Sequence, residues 1–209
     1  ESVNAIPGAP VGEIILDEGI LSALDRLTKH LPGGGRAEKY MSILRRCWKP
    51  GVRWSDAFSA QMAALFSAWG LIMLDPRWNG IKALFRPVMR AELENPLASS
   101  AEVNEEAGRF DTARERRKAL RKPGNSTNLF LEINGVRHPV LVKGKGFHVG
   151  NNFFTRDDLL SLMDAHPERF SPGAALRPVC QDSLLPVAAL IAGPGERRYL
   201  GQIRSLYSM

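Results

Sequence analysis

Two uninterrupted apolar runs constrain the fold of this chain more than any other feature of its sequence. Residues 71–74 read Leu-Ile-Met-Leu and end at an Asp-Pro pair, and residues 187–192 read Val-Ala-Ala-Leu-Ile-Ala and lead into a Gly-Pro-Gly turn. A strand that is covered by helices on both faces has this continuous apolar character, which is typical of parallel sheets. The sequence therefore predicts an α/β fold with a parallel sheet at its core.

Residues 1–80 are predicted to form a helical segment that leads into the first of these strands. Its third helix carries apolar side chains at the spacing of a core-facing helix. We expect Ser55 to cap the start of this helix and Gly70 to cap its end. The members of the apolar stripe are Phe58, Met62, Leu65, Phe66 and Trp69.

Residues 81–165 are predicted to interrupt the sheet as an inserted connecting segment, and residues 166–209 to return to the core. The first part of the insertion is a charged stretch over about residues 81–120, which predicts a long helix. Because proline and glycine interrupt helices, breaks are expected near Pro87, Pro96 and Gly108.

The second part of the insertion is predicted to be a small antiparallel sheet followed by a helix. Asn134-Gly135 suits the type I′ turn of a hairpin between residues 129–133 and 136–142. Residues 147–149 are expected to add a third strand. Thr155 is expected to cap the following helix in a reciprocal exchange with Asp158.

The composition indicates a folded, globular protein. Of the 209 residues, 44% are apolar and 24% are charged, which is close to the average of soluble domains. No apolar run approaches the roughly 18 residues that span a membrane. The two cysteines and four histidines have no metal-ligand spacing. We therefore predict no metal site and no thiol nucleophile, and we expect a soluble, cytoplasmic protein.

The net charge of +6 makes nucleic acid or another anionic partner worth considering. The cations are concentrated in residues 36–53 and 109–122, and an acidic stretch at residues 92–106 lies just before the second group. Such blocks favour solvated helix faces that pair with each other. The alternatives are a basic module that binds nucleic acid or an acidic partner, with steep salt dependence, and a non-catalytic scaffold.

The turn after the second apolar run is the first candidate site. Gly193 and Gly195 would let a ligand approach the backbone closely. A turn from a sheet strand into a helix is where open α/β sheets bind ligands. Glu196, in the first helical turn, would repel an anion and favour an amine. The alternative is a tight turn with an ordinary glutamate at a helix start.

Arg177 and Gln181 form the second candidate site, because a spacing of four residues places them on one helix face. Arg177 suits bidentate recognition of a carboxylate or a phosphate. Asp182 is expected to hold Arg177 in place. The alternative is a purely structural ion pair of Arg177 with Asp182 or Glu196.

The polar loop of residues 122–128 is the third candidate site. Asn125, Ser126 and Asn128 lie beside a glycine and can present several hydrogen-bonding groups to a polar ligand, and Lys122 adds a positive charge. The alternative is that these side chains satisfy the backbone of their own loop.

Both ends of the chain suggest a piece of a longer protein. The sequence begins at Glu1 and not at a methionine, which a cleaved tag would also explain. It ends at Met209 within an apolar pattern of helical spacing, with no glycine or proline to stop the helix.

Several motifs together resemble one enzyme family, the cysteine-adding enzymes of bacillithiol biosynthesis (cysteine ligases of the BshC family). The resemblance extends from about residue 11 to residue 207. The motifs that carry it are HPERFSP (166–172), LRP (176–178), QD (181–182), LP (185–186) and GPGE (193–196), with support from residues 70–76, ELENP (92–96), NLFL (128–131) and FTRDDL (154–159).

The resemblance implies an incomplete Rossmann-like core, akin to class I nucleotidylyltransferases and aminoacyl-tRNA synthetases, and a coiled coil elsewhere that forms a homodimer. It implies the last step of bacillithiol synthesis, in which L-cysteine is joined to the amino group of glucosaminyl malate, with ATP or ADP as the nucleotide. After Glu196 the sequence departs from the family, which has small or apolar residues and an aromatic pair where this chain has Arg197, Arg198 and Leu200.

Overall fold

The computed structural model describes residues 11–112 and 120–208. The chain divides into two compact units, Glu1–Asp75 and Pro76–Met209. This division lies near the boundary predicted at residue 80, and the boundary predicted at residue 165 lies inside the second unit. The most cationic part of the second basic group, residues 113–119, lies outside the described residues.

The described residues of the first unit form three α-helices: α1 (Gly19–His30), α2 (Gly35–Cys47) and α3 (Trp54–Phe66). Its buried apolar residues are Leu16, Leu24, Met41, Cys47 and Ala57. The indole of Trp54 stacks on Phe58 and meets Trp48 edge to face. Trp48 Nε1 donates a 2.6 Å hydrogen bond to Gln61 Oε1, which joins α2 to α3.

The expected caps of α3 are confirmed only in part. The helix begins at Trp54 with Arg53 as its N-cap, and the Ser55 hydroxyl donates to Gly12 O instead. Gly70, with φ 78°, ends the 3-10 turn Ser67–Trp69 that extends α3. The apolar stripe predicted on α3 does not face a core within this unit. Phe58, Phe66 and Trp69 are exposed, and Trp69 is 78% exposed. Within this unit the described neighbours cover only the Ala57 side of the helix.

The prediction of two buried strands is wrong, because the described structure has no strand at either apolar run. Residues 71–74 and 187–192 have no regular secondary structure and lie outside the described sheet, and Ile72 and Ile191 are 86% and 99% exposed. A strand requires a neighbouring strand to satisfy its backbone groups. The described strands offer neither run such a neighbour, so the apolar pattern alone does not produce a strand here.

The second unit is built on a five-stranded sheet in the order β4-β3-β2-β1-β5, with each neighbouring pair antiparallel. The predicted hairpin is confirmed: Asn134 (φ 52°) and Gly135 (φ 75°) form its two-residue turn. The third strand is confirmed, and two further strands were not predicted. The strands are β1 (Ser126–Ile133), β2 (Val136–Lys143), β3 (Gly146–Val149), β4 (Asn152–Phe154) and β5 (Phe170–Pro172).

Six helices are described in this unit: α4 (Asn79–Leu84), α5 (Arg86–Glu94), α6 (Ala98–Thr112), α7 (Arg156–Ala165), α8 (Arg177–Leu184) and α9 (Pro194–Gln202). The breaks expected near Pro87 and Pro96 are confirmed, whereas Gly108 lies within α6 without interrupting it. Thr155 and Asp158 form the predicted capping box at the start of α7. The structure thus has an α/β architecture whose described sheet is antiparallel.

The main core lies between this sheet and α5 and α7. Its fully buried side chains include Met89, Leu93, Leu129, Leu131, Val140, Leu159, Met163 and Phe170. A smaller cluster of Val103, Ala175, Ile203 and Leu206 joins α6 to the end of the chain. Gln202 is buried beside this cluster and its Oε1 accepts a 2.8 Å hydrogen bond from Leu120 N. Among the described helices, none combines the length and apolar character needed to cross a membrane.

Candidate functional site

Two of the three candidate sites come together at the start of β1. The amide of Gly173, just after β5, donates a 2.6 Å hydrogen bond to Asn128 O, and the amide of Arg177 donates a 2.9 Å bond to Gly173 O. A side chain at position 173 would come within 3.1 Å of Asn128 O, so glycine permits this close approach. The polar loop and the start of α8 therefore border the same region.

A buried polar network lies under the start of β1. The carboxylate of Glu92, on α5, accepts hydrogen bonds from Asn128 N (2.7 Å) and from the Ser99 hydroxyl. Asn128 Nδ2 donates to Ser99 Oγ (2.7 Å) and Ser100 Oγ (3.2 Å). Asn128 Oδ1 has no hydrogen-bond partner within the described part of the chain. The network orients the Asn128 side chain, and the hydrogen bonds of Asn128 in turn hold α5 and α6 against β1.

Burial raises the pKa of the Glu92 carboxyl above its usual value. The hydrogen bonds from Ser99 and Asn128 N and the nearby charge of Lys122 offset part of this increase. The side chain is only 5% exposed, so ionising it is costly unless its hydrogen bonds persist. Glu92 is therefore a buried acid whose charge depends on an intact network.

The turn between α5 and α6 positions two members of this network, Ser99 and Ser100. Leu97 in this turn has φ 75°, a left-handed conformation that costs a bulky L-residue about 1–3 kcal/mol. The turn is followed directly by α6, whose first residues include Ser99 and Ser100. The strained turn directs both hydroxyls toward Glu92 and β1, where Ser100 Oγ donates to Ser126 O.

Two partly buried cations, Arg137 and Lys122, lie near β1. Arg137, on β2, donates from Nε to Ser171 Oγ (2.8 Å) and from Nη2 to Pro172 O (3.1 Å), and its guanidinium carbon lies 3.6 Å above the Phe130 ring. Burial lowers the pKa of Arg137, and the charge of Arg177 lowers it further. Burial also lowers the pKa of Lys122, and the charge of Arg137 adds to this effect.

Arg177 and Gln181 lie on α8 as predicted, but Asp182 does not hold Arg177. Asp182 instead hydrogen-bonds Tyr207, whose pKa is raised to about 12 by burial, by this bond and by the charge of Asp182. The positions of Arg177 and Asp182 are five residues apart, which places them on different faces of one helix. The Arg177 side chain is exposed and Gln181 is half-buried.

The Gly-Pro-Gly turn starts a helix as predicted. Gly193 is the N-cap of α9, and its amide donates a 3.2 Å hydrogen bond to Glu196 Oε2. Both residues are exposed. The carboxylate already neutralises this helix start, so the turn does not fit a phosphate. The other carboxylate oxygen remains available to an amine.

The remaining reactive groups give no support to thiol or metal chemistry. Cys180 is fully buried on α8, and burial is the main cause that raises its pKa to about 12, so it is a thiol and not a nucleophilic thiolate. The described residues contain no group of three or more His, Cys, Asp or Glu side chains that could hold a metal ion.

Sequence reasoning missed four residues of this region: Glu92, Ser99, Ser100 and Arg137. Glu92 lies within the ELENP motif, which marked the segment without assigning a role to its first glutamate. Arg137 lies on a strand, where a single arginine gives no signal.

Comparisons with known families define the class of this fold and then its family. The family described as "Bacillithiol biosynthesis BshC, N-terminal Rossmann-like domain" matches residues 3–209. The fold class is thus α/β and Rossmann-like, as predicted. The chain belongs to the BshC family, which confirms the resemblance seen in its motifs.

Proteins with the name "Putative cysteine ligase BshC" match along most of the chain. The relative from Salinibacter ruber is 40% identical over 208 residues, which are 98% of this chain and 37% of the relative. The relative from Thermus thermophilus is 35% identical over 154 residues, 74% of this chain and 31% of the relative. The relative from Koribacter versatilis is 31% identical over 206 residues, 96% of this chain and 37% of the relative. The chain thus spans about a third of the length of these relatives.

Proposed function

We propose that the protein containing this chain is a carbon–nitrogen ligase that joins L-cysteine to the amino group of glucosaminyl malate in bacillithiol biosynthesis. The observation that carries the proposal is the family match over residues 3–209, together with relatives named as cysteine ligases at up to 40% identity. The chain supplies the N-terminal Rossmann-like domain of that enzyme. It also supplies the polar and cationic region at the start of β1.

Within this domain we assign substrate or nucleotide binding to the start of β1 and the start of α8. Arg177 is exposed and forms no ion pair with a described carboxylate, so its guanidinium can take a carboxylate or a phosphate. Gln181, one turn further along α8, can donate to the same group. Asn125 is exposed in the loop. Ser126 and Asn128 are buried, and their backbone groups bind Ser100 and Glu92, which holds the loop in place.

We expect a nucleotide such as ATP or ADP to bind at the loop beside β1 and not at the start of α9. The start of α9 does not fit a phosphate, because Glu196 places a carboxylate there. The loop beside β1 fits better, because Lys122 lies there without a hydrogen bond from its Nζ to any described residue. When bound, the nucleotide would supply the activation of the cysteine carboxylate.

The amine of L-cysteine would bind at the turn Gly193–Glu196. Glu196 is exposed, and only one of its oxygens is used by the cap. Gly193 and Gly195 leave the backbone open, since no atom of the described residues lies within 4 Å of a side chain placed on Gly195. The proposal places the homodimer contact and the coiled coil in other parts of the protein, and the enzyme in the cytoplasm.

The experiment is a ligation assay on the full-length protein. Purified enzyme is incubated with L-cysteine, glucosaminyl malate and ATP, and the product is measured by mass spectrometry. The proposal expects a product with the mass of both substrates minus water, and none when any one component is omitted. A folded full-length enzyme that forms no such product would refute the proposal.

No specific observation favours a basic nucleic-acid module as a second function. In the described part of the first basic group, Arg45 is paired with Asp25 at 2.8 Å. In the described part of the second, Arg109 contacts Glu105 and Glu106. These pairs agree with the solvated, paired helix faces expected from the charge pattern.

A further inference from the structure

We propose that Asn104 and Gln202 are positioning residues that fix the chain entering the polar loop of residues 122–128 and so set the affinity of this loop for a nucleotide. The two side chains belong to different helices, α6 and α9, and their amides bind two alternate residues, Leu120 and Lys122. The nucleotide-binding role of the loop rests on the proposed function, whereas the hydrogen bonds that position the loop do not.

Gln202 binds both backbone groups of Leu120. Its Oε1 accepts a 2.8 Å hydrogen bond from Leu120 N, and its Nε2 donates a 3.1 Å bond to Leu120 O. Nε2 also donates a 3.5 Å bond to Val103 O, which belongs to α6. Gln202 is the last residue of α9 and is only 1% exposed, so losing its amide would leave buried polar groups unsatisfied. Gln202 therefore links α9, α6 and the chain before the loop.

Asn104 binds Lys122 in the same way, two residues further along the chain. Its Oδ1 accepts a 2.8 Å hydrogen bond from Lys122 N, and its Nδ2 donates a 3.0 Å bond to Lys122 O. In an antiparallel sheet, every second residue exchanges both of its backbone hydrogen bonds with one partner residue. Here two side-chain amides supply that pattern, although residues 120–122 belong to no strand of the described sheet.

The Leu120 side chain supports the same arrangement. It packs against the smaller apolar cluster, which includes Val103 of α6 and Ile203 at the end of α9. Apolar contacts and the two hydrogen bonds of Gln202 thus fix position 120 together.

The loop is fixed separately on its other side. Ser126 N donates a 2.9 Å hydrogen bond to Pro123 O, which closes a turn, and Asn125 O accepts a 2.7 Å bond from Val142 N on β2. Lys122 lies between this turn and the two side-chain amides. Loss of either amide should therefore loosen the Lys122 end of the loop and leave the turn in place.

The position of Lys122 matters because it is the cation of the loop. A half-buried ammonium that is held in place before a phosphate arrives loses less conformational freedom when it binds the phosphate. Fixing the backbone of one residue is worth about a factor of ten in affinity. The two amides should thus strengthen nucleotide binding without contacting the nucleotide.

The test is isothermal titration of the full-length protein with ADP as the nucleotide probe. Asn104→Leu and Gln202→Met each replace an amide with an apolar side chain of similar size. We expect the Kd for ADP to rise about tenfold in each variant. Misfolding alone would lower the number of ADP equivalents bound and leave the Kd unchanged. Asn152→Leu is the matched control, because Asn152 is exposed in β4, and its Kd should equal that of the wild type.

A double-mutant cycle tests whether Asn104 acts through Lys122. Lys122→Gln should weaken ADP binding by itself. Adding Asn104→Leu to this variant should then change the Kd less than twofold, because the cation that Asn104 positions is already absent. A purely structural role of Asn104 would make the two effects add.

Hydrogen exchange checks the positioning bonds without any ligand. The amide of Leu120 should exchange about tenfold faster in Gln202→Met than in the wild type, whereas the amide of Val142 should keep its rate. An unchanged rate at Leu120 would overturn the role of Gln202.

The proposal is also overturned if ADP binds the wild type, Asn104→Leu and Gln202→Met with the same Kd, or if the effects of Asn104→Leu and Lys122→Gln add in full. A folded wild-type protein that binds no ADP would refute the nucleotide assignment of the loop together with the positioning role. That result is distinct from ADP binding that the variants leave unchanged, which would refute the positioning role alone.

Discussion

The amide of Asn128 donates a 2.7 Å hydrogen bond to Oε1 of Glu92, across 36 residues of sequence. The bond ties the first residues of β1 to α5, and Ser99 completes the network from α6. These three elements hold the loop that carries Lys122 and the segment that carries Gly173. The Glu92–Asn128 bond therefore anchors the start of β1 to α5.

Replacing Glu92 with alanine should destabilise the protein by about 3 kcal/mol, because the buried amide of Asn128 and the hydroxyl of Ser99 would lose their acceptor. The free energy of unfolding, measured in urea at neutral pH, checks this value. Glu94→Ala is the matched control on the same helix, since Glu94 is exposed and pairs only with Arg90 and should have little effect. Equal effects of the two substitutions would contradict the proposed role of the network.

The stability of the protein should depend on pH through Glu92. Its folded-state pKa lies above the ordinary value of 4.5, so the folded protein keeps a proton that the unfolded chain has lost. The resulting stabilisation is complete below 4.5 and is lost as the pH rises through the folded-state pKa. Relative to Glu92→Gln, the wild-type protein should therefore lose free energy of unfolding as the pH rises above 4.5 and through the folded-state pKa. A difference between the two proteins that stays constant over this range would contradict the assigned pKa shift.

Gly146 should tolerate no side chain. A Cβ there would lie 2.6 Å from the backbone oxygen of Phe154 and would overlap the ring of Phe153. We expect Gly146→Ala to destabilise the protein by about 3 kcal/mol, since a backbone atom must shift. Gly108→Ala is the control: it lies in α6 with no atom within 4 Å and should stabilise the protein by up to about 1 kcal/mol. Thermal unfolding of the two variants checks the opposite signs, and a stable Gly146→Ala variant would show that β3 and β4 pack differently.

Glu196→Gln should weaken binding of the amine substrate while leaving α9 intact. The glutamine oxygen can still accept from Gly193 N, but the negative charge is lost. In the full-length protein we expect the KM for L-cysteine to rise about tenfold, the effect of losing one charged hydrogen bond. Glu196→Asp retains the charge and should restore part of the affinity. Unchanged kinetics in Glu196→Gln would remove this role.

The features predicted correctly from the sequence are those that depend on neighbouring residues. The Asn134-Gly135 turn requires positive φ at two adjacent positions, which these residue types accept at low cost. The capping box of Thr155 and Asp158 needs a spacing of three residues. The helix breaks at Pro87 and Pro96 follow from the chemistry of proline itself.

The features missed are those that depend on distant parts of the chain. Residues 71–74 and 187–192 have the composition of buried strands, but a strand also needs a partner. The network of Glu92 and Asn128 joins residues whose separation carries no periodic signal. The link between Asp182 and Tyr207 likewise replaces the local pair with Arg177 that helix spacing suggested.

The most direct test of the account is the kinetic effect of Arg177→Gln in the full-length protein, measured in the proposed ligation reaction. If Arg177 and Gln181 bind the anionic group of a substrate or nucleotide, the KM for that one ligand should rise about tenfold to a hundredfold, the value of one charged hydrogen bond. The KM values of the other ligands should stay within about twofold, and Arg156→Gln should behave like the wild-type enzyme. An Arg177→Gln enzyme with every KM and kcat unchanged would contradict the account.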